Sequence, residues 1–128
     1  MRDELKAMLA QSDEKLRAAR LLLDGGAWGD ASSRSYYAAF HAVSALLLSR
    51  GETYSSHGQV LGRFNKEFIH PGMFPKEFTA VLTRLFEDRQ SGDYDFLMGV
   101  TETEARQDVA DAQRIVKEIH RYLTTSES

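Results

Sequence analysis

The chain has no cysteine, so disulfides and thiolate metal sites are excluded and a reducing compartment suits it. No apolar run approaches the ~20 residues that a membrane-spanning helix needs. The opening stretch, MRDELKAMLAQSDEK, is charged throughout and carries no apolar segment of the secretory-signal kind. A soluble cytoplasmic protein that engages no membrane is the expectation. Excess positive charge is missing too: the net charge is −3. That argues against strong nonspecific nucleic-acid binding, which needs a basic surface, but leaves room for a local basic pocket. No apolar/polar alternation bounded by turn signals occurs, so no strands are expected. There is also no internal repeat of roughly 30 to 45 residues, which argues against a helical solenoid. Gly-rich phosphate loops, Gly-x-Ser-x-Gly, His-Glu-x-x-His and EF-hand patterns are absent.

What is present is helical periodicity. With 128 residues, 42% of them hydrophobic, the chain suits one domain, 1–128, with an ordinary core. Leu5, Met8, Leu9, Ser12, Leu16, Ala19 and Leu23 recur at spacings of three and four, and Asp24-Gly25-Gly26 stops that first helix. A second helix is expected over Asp30–Arg50, with Asp30 as its N-cap. A third opens on a Ser56/Gln59 capping box and breaks at His70-Pro71-Gly72. Its Gly58 and Gly62 suggest close approach by another helix or a ligand. A fourth, with Pro75 in its first turn, runs to Asp88-Arg89. Gln90 to Asp95 then reads as a polar loop. Thr101 and Glu104 cap a fifth helix reaching Leu123, with Thr124 to Ser128 fraying. The fold class expected is all-α, an up-and-down bundle of about five helices.

The second helix organises the rest. On a wheel with roughly 100° per residue, Tyr36, Phe40, Val43 and Leu47 form an apolar strip. Arg34 and His41 lie together on a neighbouring strip, about 20° apart in rotation and roughly 10 Å along the axis. Histidine can take or give a proton near neutral pH, and arginine can hold a phosphate by two parallel hydrogen bonds. Together they form a minimal set for metal-independent RNA cleavage. The plainer alternative pairs Arg34 with a carboxylate and leaves His41 half-buried in a helix seam.

Arg89 and the Asp93-Tyr94-Asp95 cluster form a second candidate set. Arg89 is placed to bind phosphate, with Asp93 or Asp95 orienting Arg34 or His41. The alternative has Arg89 capping the fourth helix and Tyr94 packing. His57, in the first turn of the third helix, stands where anions are attracted. Glu67 and His70 spell a single Glu-x-x-His, whereas a dimetal carboxylate bundle needs two such motifs, so no metal and no cofactor is expected.

The segments ASSRSYYAAFHAVSALLLSRG, SSHGQVLGRF and RQSGDYDF resemble the HEPN domain (higher eukaryotes and prokaryotes nucleotide-binding). The likeness is to its small stand-alone prokaryotic branch and extends over roughly Leu5 to Leu123. The resemblance implies a helical bundle that homodimerises. It implies either a partner nucleotidyltransferase or a metal-independent ribonuclease in a toxin–antitoxin or defence setting. The nuclease members carry Arg, four to six residues, then His near the start of a late helix. Here Arg34 and His41 meet that spacing on the second helix. At the late position Arg89 is followed by Asp93 and Asp95 instead of histidine.

The expectation is therefore a dimeric nucleotide- or RNA-binding module whose groove is lined by Arg34, His41, His57 and Arg89, with Asp93 and Tyr94 beside them. The alternatives are a ribonuclease using His41 and Arg34, and a purely structural helical partner. Trp28, Phe74 and Phe96 are expected to be exposed aromatics that favour dimerisation.

Overall fold

The computed structural model describes residues 2–95, 97 and 99–126. Five α-helices follow in order: α1 Asp3–Asp24, α2 Trp28–Leu48, α3 His57–Phe64, α4 Glu77–Tyr94 and α5 Glu102–Ser126. A π-helical turn, Asn65–Ile69, continues α3. Among the described residues there is no strand, and the all-α bundle read from periodicity is the fold observed.

The turn between α1 and α2 sets their pairing. Gly26 adopts φ +81°, where a side chain is strained, and this lets the chain reverse within three residues. The two helices then run antiparallel. Ser12 donates from Oγ to the Ala38 carbonyl at 2.7 Å, and the Arg2 guanidinium binds the Leu48 carbonyl at the other end. Ala38, Ala39, Ala42 and Ala45 are fully buried, so neighbouring helices pack closely around α2. Val43, Leu46 and Leu47 fill the core beside them, and α1, α4 and α5 all pack on α2. Burying each large aliphatic side chain stabilises the fold by about 1.5–3 kcal/mol.

Two glycines bring α4 onto the start of α2. A Cβ added to Gly92 would lie 2.7 Å from the Gly29 carbonyl oxygen, and one on Gly29 would lie 3.1 Å from that of Gly92. The backbones are in contact: a side chain on Gly92 would force the helices apart, and one on Gly29 would need the facing backbone to give by a few tenths of an ångström.

Several sequence expectations change. α4 runs through Gln90–Tyr94 instead of ending at Arg89. Gly92 acts there as a contact surface, and Arg89 and Asp93, one turn apart, form an ion pair on the same helix. α2 begins at Trp28, with Ala27 at its cap, so Asp30 sits in the first turn. Nothing lies within 4 Å of a Cβ built on Gly58 or Gly62, so neither serves close approach. α5 continues past Leu123 to Ser126. Phe74 is buried, because the turn after α3 folds it against Phe64, Phe68 and Tyr122. Trp28 is half-buried and packs on a small cluster of Ala19, Ala31, Ala105 and Val109. Phe96 lies outside the described residues. The Thr101/Glu104 capping box forms in full, whereas at Ser56/Gln59 only one half forms: the Ser56 hydroxyl accepts from the Gln59 backbone N–H and donates to the Gln59 side-chain oxygen.

Candidate functional site

The solvent-reaching strip of α2 opens into a cleft of about 480 Å³. α2 supplies Asp30, Ser33, Arg34, Tyr37 and His41 to it; α1 supplies Gln11 and Lys15, and α4 supplies Asp93. The heptad spacing places Arg34 and His41 in the same opening. Arg34 is exposed and has no ion pair among the described residues. His41 is half-buried. Burial, and secondarily the nearby Lys15 ammonium, hold its pKa below the usual histidine value, so its imidazole is neutral at pH 7.

Arg89 backs this cleft without lining it. Its Nη2 donates to the Tyr37 hydroxyl at 2.7 Å, and its guanidinium lies 5.4 Å from the Tyr37 ring centroid. Its Nε stands 3.2 Å from Asp93 Oδ2, an ion-pair contact out of line for a hydrogen bond. The charge of Asp93 is thus largely answered from within, leaving Lys15 and Arg34 against Asp30 on the open wall.

His57 and Tyr94 lie elsewhere. His57 stacks on Phe86, with centroids 4.0 Å apart, and its Nδ1 is 3.2 Å from the Tyr36 hydroxyl. Burial raises the Tyr36 pKa to about 12 and lowers that of His57. Tyr36 therefore remains protonated and donates to a neutral imidazole. The Tyr36 ring packs against His57 and also, edge-on at 5.1 Å, against Tyr37. Tyr94 is 68% exposed and borders a different depression with Gln90 and Leu97. Of the candidate residues, then, Arg34, His41 and Asp93 share the cleft, Arg89 supports it, and His57 and Tyr94 face away. Glu67 is engaged by Arg50 and Arg63, and among the described residues no three carboxylate or imidazole groups are placed to hold a metal.

Sequence reasoning missed Lys15 and Gln11, which share one α1 face at a spacing of four but become neighbours of His41 only through the α1–α2 pairing. It also missed a buried polar cluster. Asp108 is fully buried; it accepts from Ser32 Oγ at 2.8 Å and from Arg84 Nε at 3.1 Å. Its signal was the inner-face spacing Ala105, Asp108, Val109, Ala112, which sets a carboxylate among apolar positions. Arg84 also holds Asp111, at 2.6 Å.

A family model described as the HEPN domain matches residues 5–122. The chain belongs to the HEPN family. This HEPN chain is 37% identical over 110 residues to a UPF0332 protein of Thermotoga maritima, covering 86% of this chain and 83% of that one. It is 30% identical over 123 residues to a protein of Methanocaldococcus jannaschii named a "putative toxin", covering 96% of this chain and 91% of that one. A crystal structure of TT1696 from Thermus thermophilus matches with a TM-score of 0.80 at 21% identity, covering 94% of this chain and 98% of that one. At that identity the likeness concerns the fold. Among the described residues, no helix of this HEPN bundle is long and apolar enough to cross a membrane.

Proposed function

We propose that this HEPN domain is a binding module for the phosphate of a nucleotide or single-stranded RNA, seated in the cleft between α1 and α2. One observation carries the reading: Arg34, without an ion pair among the described residues, opens into the same cleft as Lys15 and His41. A guanidinium with free donors is suited to bidentate phosphate contact, and with Asp93 paired to Arg89 behind the cleft, the lining cations Lys15 and Arg34 face one remaining carboxylate, Asp30. Self-association into a homodimer and a nucleotidyltransferase partner belong to the same reading, as does a toxin-like setting suggested by the name of the Methanocaldococcus jannaschii relative. The test is fluorescence anisotropy with a labelled single-stranded RNA across a salt series. Arg34→Ala combined with Lys15→Ala should abolish binding; an unchanged isotherm would refute the site.

A second reading is favoured by the state of His41. An imidazole kept neutral by burial, beside an arginine, is equipped to act as a general base in metal-independent RNA cleavage. His41 would take the proton of a 2′-hydroxyl, and that oxygen would attack the adjacent phosphorus. The bond to the 5′-oxygen would break, that oxygen taking a proton from solvent, to leave a 2′,3′-cyclic phosphate and a 5′-hydroxyl. Arg34 would stabilise the charge gathering on phosphorus. Incubation of RNA in EDTA with the native chain and with His41→Ala separates the readings: cleavage lost in the variant supports catalysis, and equal cleavage in both excludes His41.

A further inference from the structure

The phosphate cleft is one half of a longer groove. A second opening of about 510 Å³ adjoins it, walled by Ala7, Met8 and Leu48 and rimmed by Glu4, Gln11 and Thr53. Gln11 and His41 line both openings, so the two spaces meet at the imidazole. The sequence explains why they are continuous. On α2, Arg34, His41 and Leu48 follow at steps of seven and keep nearly one line, drifting by about 20° per step. On the antiparallel α1, Lys15, Gln11, Met8 and Glu4 follow at steps of three and four. Two rows therefore face each other along a trough. Lys15 and Arg34 stand at one end and His41 at the middle; Met8 and Leu48 follow, with Glu4 at the far rim. Beyond Leu48 the trough is tied off by Arg2 on the Leu48 carbonyl.

The order of these groups matches a molecule with an anion at one end, a flat apolar body and a hydrogen-bond donor at the other. Building on the phosphate reading above, we infer that the second opening is a nucleobase subsite that prefers a base with an exocyclic amino group, adenine or cytosine, over uracil. The apolar walls and the methionine sulfur cover the faces of an aromatic ring. The Glu4 carboxylate can only accept hydrogen bonds. It therefore pairs with an amino group, as acidic side chains do with cytosine N4, and opposes the carbonyl that uracil places there. The Gln11 amide and the Thr53 hydroxyl supply the remaining edge contacts.

Titration calorimetry of the full chain with inorganic phosphate, CMP and UMP tests this, with tetracytidylate and tetrauridylate distinguishing a free nucleotide from an RNA ligand. CMP is expected to bind about tenfold more tightly than UMP and than phosphate, the ratio one good base-edge contact supplies. Ala7→Trp, at an exposed helical position, fills the subsite. It should bring CMP down to the phosphate value while phosphate binding is unchanged. Glu4→Gln, also exposed, should erase the difference between CMP and UMP. If CMP, UMP and phosphate bind alike, or if Ala7→Trp leaves the CMP advantage intact, the base subsite is wrong while the phosphate site stands. If phosphate does not bind but CMP does, with sensitivity to Ala7→Trp, the subsite stands and the anion reading fails. If nothing binds, both fall.

Discussion

The backbones of Gly29 and Gly92 touch where α4 crosses the first turn of α2, so closely that a methyl group on Gly92 would stand 2.7 Å from the Gly29 carbonyl oxygen. That contact places the next residue, Asp93, at the mouth of the cleft and Arg89, one turn back, against Tyr37. Gly92→Ala is therefore expected to destabilise the fold. Overpacking costs about 1–3 kcal/mol, offset in part by the better helix propensity of alanine, about 1 kcal/mol. Urea denaturation is the check: a variant as stable as the native chain would mean that the helices part without cost.

Asp108 sets a pH dependence. Burial and a hydrogen bond with the neighbouring Asp88 carboxyl raise its pKa to about 7, outweighing Ser32 and Arg84, which favour its charged form. A carboxyl whose folded pKa lies above its unfolded value contributes stability that is full below the unfolded value and is lost as pH rises through the folded one. Its contribution should therefore decline between about pH 4 and pH 8. Asp108→Asn, a neutral isostere, should flatten that limb. Melting temperatures at pH 5 and pH 8 measure it, and the same slope in the variant would clear Asp108.

His57 acts in the opposite direction. Its pKa is lowered by burial, so its contribution is present above the unfolded value, about 6.5, and is lost as pH falls through the lower folded value. Protonation would also stop Nδ1 from accepting the Tyr36 hydroxyl. His57→Gln keeps an acceptor and cannot charge. It should lessen the fall in stability between pH 7 and pH 5, leaving the part due to His41, whose pKa is lowered for the same main reason. A chemical-denaturation series over that range reads the difference.

The fold was legible because helices leave a local record. The α2 strip of Tyr36, Phe40, Val43 and Leu47, and the nearness of Arg34 to His41, depend only on residues close in sequence. What was not legible depends on contacts between distant segments. Gly92 amid Ser91, Asp93 and Asp95 has the composition of a loop, and what calls for a glycine there is the backbone of Gly29, on another helix. Lys15 and Gln11 look like ordinary charged-face residues until α1 is laid antiparallel to α2. Phe74 reads as an exposed loop aromatic until the turn after α3 carries it under Phe64 and Phe68. Asp108 is the exception: its inner-face position was readable from spacing, and only its partners were not.

Arg34 and Arg89 are both cations near the cleft, yet their geometry gives them different duties. Arg34 lines the opening with no ion pair among the described residues, so it is the one to meet a phosphate. Arg34→Ala should weaken RNA binding and reduce the slope of log affinity against log salt by about 0.7, the share of one phosphate contact on a single strand. Arg89 is occupied by Tyr37 and Asp93. Its removal leaves the Asp93 carboxylate unanswered at the mouth of an anion site, so Arg89→Ala should also weaken binding, by repulsion. The double variant Arg89→Ala/Asp93→Asn removes that repulsion and should recover most of the lost affinity with the native salt slope. Direct phosphate contact by Arg89 predicts no recovery and a slope reduced as in Arg34→Ala, so one salt series on four proteins decides which arginine touches the ligand.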